Sequence, residues 1–115
     1  MVEAVYHRVF QLWAYNVGMS QLLLRSNQSS GVTTRVDIGF QGVSWLELPT
    51  YLQGVTIERD VPEDLKELEE RGISIGDRHL FSLSGVDYRG LVVAHLLKMV
   101  EDDKDYLAPS SVFVG

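Results

Sequence analysis

Cysteine is absent from this chain, and that absence removes several function classes at once. Disulfide scaffolds, thiolate zinc sites, iron–sulfur clusters and cysteine nucleophiles are all excluded. Long apolar runs are missing too. The longest wholly apolar stretch is four residues, against the ~20 that a membrane-spanning helix needs. The N-terminal stretch MVEAVYHRVFQLWAYN carries Glu3 and Arg8 and has no uninterrupted apolar centre. It does not read as a signal peptide, so a cytoplasmic setting and no membrane contact are expected. Positive charge is scarce. Ten Lys and Arg stand against sixteen Asp and Glu, a formal net charge of −6. No basic stripe offsets that balance, and phosphate backbones would be repelled, so nucleic-acid binding is not expected.

Sequence signatures of catalysis are also lacking. There is no G-x-x-x-x-G-K-[ST] loop and no G-x-G-x-x-G turn. Ser44 in GVSWL and Ser84 in LSGVD do not sit in a G-x-S-x-G elbow. No repeat period stands out.

What remains is an ordinary composition. The 115 residues are 45% hydrophobic and 23% charged, which suits a single domain over 1–115 with a real core. Residues 32–41 give the clearest signal. Val32, Thr34, Val36, Ile38 and Phe40 alternate with Thr33, Arg35, Asp37, Gly39 and Gln41, and period two means a strand with one buried and one wet face. Residues 5–15 alternate tolerably and are read as a strand, against a rival helix with Val5, Val9, Leu12 and Trp13 on one side. Further strands are read at 20–25, 43–48, 55–58 and 79–84. The loop 26–31, SNQSSG, has turn chemistry throughout. Residues 91–100 are read as one strand pairing with 79–84, with a helix as the rival. The tail 106–115 is read as a last short strand.

The segment DVPEDLKELEERG punctuates a helix over 62–71. Asp60 is the expected N-cap with Glu63 completing a capping box, and Gly72 is the expected C′ residue. The fold expectation is therefore α+β, mostly β: an antiparallel sheet or sandwich of six to eight short strands in meander order, with one short helix.

Candidate chemistry is thin. The acids Glu101, Asp102, Asp103 and Asp105 lack calcium-loop spacing, and a solvated turn is expected there. His7, His79 and His95 share no metal-ligand spacing, although His79 and His95 could be cross-strand neighbours. No metal and no cofactor are expected. The aromatics Trp13, Tyr15, Trp45, Tyr51, Tyr88 and Tyr106 are many for this length, and they suit core filling or protein-contact anchors. A hairpin centred on the 28–30 loop places Arg25 opposite Thr33 or Thr34 and leaves Arg35 and Asp37 on an exposed outer row. The candidate binding residues are Arg25, Arg35, Asp37, His79, His95 and Tyr88. The leading functional expectation is a non-enzymatic module that binds a protein partner or itself, for instance as a homodimer. An acidic inhibitor of a basic partner would be one form of it. An enzyme using histidines and carboxylates from several strands is the alternative, and a structural subunit of a larger assembly is the third.

Overall fold

The computed structural model describes residues 1–113. It holds eight strands and one helix: β1 (Val2–Asn16), β2 (Gln21–Ser26), β3 (Arg35–Gln41), β4 (Trp45–Glu47), β5 (Tyr51–Arg59), α1 (Pro62–Glu70), β6 (His79–Gly85), β7 (Tyr88–Ala94) and β8 (Leu96–Asp102). All strands join one antiparallel sheet in the order β4-β7-β6-β5-β1-β2-β3-β8. The mostly β class is as expected, but the simple meander is not. Two meanders, β1–β3 and β5–β7, meet through the β1–β5 ladder, and β4 and β8 each return to the other half.

The sheet then bends back on itself, for a reason visible in the register. Trp45 faces Val93 and Gln41 faces Leu96. Three residues separate Gln41 from Trp45, and two separate Val93 from Leu96. The 42–44 segment thus carries one extra residue, which is a β-bulge, and bulges bend strands. Gly42 sits there at φ 69°. The corner is pinned by His95 N–H donating to the Gln41 carbonyl, Ser44 N–H to Val93 and Val43 N–H to Ser20. β3–β4 and β7–β8 are therefore two bent strands that turn the corner together. The expected single strand at 91–100 is split by the same corner at His95.

The curled sheet encloses one core. Phe10, Leu24, Ile38, Phe40, Leu52, Ile57, Phe81 and Val92 are fully buried in it. β1 belongs to both halves, pairing with β5 and β2. Its ladder slips between Tyr6 and Val9 and again between Leu12 and Ala14. The second slip breaks the alternation at Trp13, which is why a helical spacing could compete in the sequence.

The helix lies on the outer face of β6 and β7, where Leu68 and Leu65 pack with Leu80, Leu91 and Val93. It therefore covers a sheet face. Its start corrects the expectation. Val61 is the N-cap and no side chain caps the helix. Asp60 is held instead at φ 52°, where its carboxylate accepts from Leu80 N–H (2.9 Å) and pairs with His79 Nδ1 (2.8 Å). The C-terminal end is as expected: Gly72 takes φ 76°, and Ile73 N–H reaches back to the Leu68 carbonyl. No strand forms in the tail over 106–113, and residues 114–115 lie outside the described residues.

A Cβ on Gly42 would lie 2.4 Å from His95 Cδ2 and 3.1 Å from His95 Cβ. Gly42→Ala should therefore cost about 2–3 kcal/mol, from the positive φ and the clash together. Gly31→Ala, at φ 78° with open space around it, should cost about 1 kcal/mol. Urea unfolding of both variants checks the difference.

Candidate functional site

The densest polar structure lies on the outer face of β2, β3 and β8. The β2–β3 ladder pairs Arg25 directly with Asp37. The expected register was wrong because the connection runs through a small Ser29–Val32 bridge with Gly31 at φ 78°, which delays the second strand until Arg35. Arg25 Nε and Nη2 donate to the two Asp37 oxygens at 2.7 and 3.0 Å. The two side chains are 2% and 1% exposed. The outer row of β3 is thus buried, not wet. Arg35, on the same row, has no exposure at all.

The cover is the chain's own tail. Arg35 Nε and Nη2 donate to Asp102 at 3.1 Å each. Its remaining N–H groups reach the carbonyls of Asp105 (2.9 Å), Ala108 (2.8 Å) and Pro109 (3.3 Å). A guanidinium has five N–H donors, and all five are used. Arg25 Nη1 donates to the Tyr106 carbonyl at 2.7 Å. Its guanidinium carbon also stands 5.2 Å over the Trp13 ring, against which Tyr106 packs edge-on. Beyond the charges, Val112 is buried against Gly39, where a Cβ would lie 2.7 Å from its side chain.

Asp102 belongs to the acidic cluster expected to be a solvated turn. It is instead an anchor for the tail. Burial works to raise its carboxyl, but the hydrogen bonds from Arg35 and Lys104 N–H, with the Arg35 charge, outweigh this and hold it below the usual value. Glu101 accepts from Thr34. Among the described residues no group of three or more His, Asp or Glu side chains is placed to hold a metal ion.

The other candidates lie apart from this network. His79 pairs with Asp60 and faces Ala94 across the ladder, one residue short of His95. His95 stands 4.0 Å from a different acid, Asp77. Tyr88 donates to the Gly54 carbonyl at 2.6 Å, and burial pushes its hydroxyl up to about 12. The bond ties β7 to β5. Trp45 is exposed, with Nε1 donating to Glu47, while Trp13 is half-buried.

Sequence reading missed Arg8, Asp64 and the corner at His95 that makes β8 a separate edge strand. Arg8 is half-buried and donates to Ser26 and Thr34. A cleft of about 420 Å³ opens nearby, lined by His7, Gln11, Arg25, Asn27 and Tyr51 among others, none of them a carboxylate. Asp64 is buried under the helix, accepting from Ser82 and pairing with Arg89. An arginine isolated in an alternating strand was the available signal for Arg8. Asp64 had none, because its partners come from distant strands. No protein family, curated protein or solved structure matches the chain.

Removing one member of a buried ion pair leaves the other charge unpaired. Asp37→Ala should therefore destabilise the chain by about 3–5 kcal/mol, measurable by chemical denaturation. Asp102 predicts an acid response. Its carboxyl sits below its unfolded value, so its stabilisation is present above that value and is lost as pH falls through the folded one. The tail should detach as pH drops below about 4, ahead of unfolding of the sheet. Trp13 fluorescence and amide exchange over 103–113 would report it.

Proposed function

We propose that this chain is a non-enzymatic protein-binding module that accepts an extended strand along the free side of β8. One observation carries the reading: the inward row of β8 is incompletely covered. Strands with a neighbour on both sides contribute fully buried residues such as Leu24, Ile38 and Leu83. Leu97 and Met99 pack against the same core yet stay half-exposed. On the outer row Leu96 is 52% exposed. β8 ends the sheet, so no described strand pairs with its far side.

An added strand would satisfy the outward N–H and C=O groups of β8 and cover these side chains together. Backbone bonds would supply affinity, and alternate side chains selectivity. The other free edge, β4, is three residues long and offers much less. An enzyme built on His79 or His95 would need a pocket joining one of them to an acid, and neither lines the cleft beside the network. The cleft beside the network carries His7 and no carboxylate.

An array of extended ten-residue peptides probes the reading. Peptides that bind the protein should lose at least about tenfold in affinity to Leu96→Asp, whose exposed position should change stability by no more than about 0.5 kcal/mol. Binding that ignores this substitution and protects amides on another surface would overturn it.

A further inference from the structure

We infer that the strand received by β8 is the β8 of a second copy of this chain, paired antiparallel about a two-fold axis at Val100. This inference rests on the strand-accepting reading and narrows it to one occupant.

The first argument is geometric. In β8 the outer row is Leu96, Lys98, Val100 and Asp102, because these face Gln41, Gly39, Asp37 and Arg35 of β3. Leu97, Met99 and Glu101 form the inner row, opposite Phe40, Ile38 and Val36. Directly opposed residues in an antiparallel ladder share a face. A two-fold axis perpendicular to the sheet must therefore pair outer with outer and inner with inner. Only registers centred on a residue do this; those centred between residues are forbidden.

The second argument is charge. The row reads apolar, basic, apolar, acidic from Leu96 to Asp102, and antiparallel pairing lays its basic half beside an acidic half. With Val100 on the axis, Lys98 faces Asp102 of the second copy, and the pair is repeated by symmetry. Val100 meets its own copy, and Met99 lies beside Glu101 of the second copy. Centring on Lys98 would oppose two ammonium groups, and centring on Met99 would set Lys98 against Val100 and Asp102 against Leu96, losing both ion pairs. Both are disfavoured. The charges thus act as a register device on an edge that would otherwise pair indiscriminately. The buried strand is short, so the association is weak and reversible, with dissociation on the order of micromolar or above.

The missing cysteines make a clean test. Val100→Cys introduces the only thiol in the chain, at a site where Val and Cys differ little in volume. Under mild oxidation it should give a disulfide-linked dimer in high yield. Lys98→Cys should not, because this register separates the two copies of residue 98 by roughly 13 Å along the strand. Without cross-linking, sedimentation equilibrium should show a concentration-dependent dimer. Lys98→Glu should weaken it about tenfold, losing two symmetric ion pairs. A wild-type monomer at millimolar concentration would overturn the inference. Efficient cross-linking of Lys98→Cys but not Val100→Cys would overturn the register. If array peptides unlike β8 bind at Leu96 while the chain stays monomeric, the strand-accepting reading survives and the second copy is excluded. If neither dimer nor peptide engages β8, both fall.

Discussion

Four side chains, Arg25, Asp37, Arg35 and Asp102, form a charge-balanced network on the outer face of the sheet, and the tail depends on it. Three of them are almost wholly removed from water. Stripping a guanidinium of water costs several kcal/mol, and the cost is offset only when its donors are matched. The sheet matches part of this demand through Asp37 and Asp102. The rest comes from carbonyl oxygens of the tail. Sheet and tail are therefore coupled: losing the tail returns the arginines to water, and the tail has no ladder of its own to hold it.

The same arrangement explains what reading the residues could and could not reach. Period-two alternation from Val36 to Phe40 depends only on local geometry, so the inward row was legible. That its outer row is buried depends on residues some seventy positions away, and nothing local announces it. Arg25 and Asp37 were both named as candidates but read as lying apart, and the β2–β3 ladder pairs them directly. Their contact was placed out of register because the Ser29–Val32 bridge lengthens the connection. Gly72 was legible as a helix stop because a positive φ favours glycine. Asp60 misled because its carboxylate could serve either the helix or β6, and the neighbouring strand won with two partners, Leu80 N–H and His79.

The bulge at Gly42 governs the larger shape. One extra residue turns a flat ribbon into a corner, and the corner folds a single sheet around its own core. It also leaves a free edge at each end of the sheet. The short one at β4 is braced by Glu47, which receives Arg71 from just past the helix and Trp45 Nε1. The seven-residue one at β8 is not braced in this way. The incomplete burial of Leu97 and Met99 follows from how the sheet is closed, and it is local to that seam.

The tail is gripped through its main chain. The carbonyls of Asp105, Tyr106, Ala108 and Pro109 receive the arginines, and every amino acid carries a carbonyl. Such a clasp is nearly indifferent to side-chain identity. Side chains add to it within 105–109, where Tyr106 packs on Trp13 and Asp105 Oδ1 accepts from Leu107 N–H. A further side-chain contact lies beyond, where Val112 presses onto Gly39 and a missing Cβ makes the room. The segment is thus locked in conformation while the exposed Leu107 stays open in composition, a position where new side chains can be displayed without refolding what lies beneath.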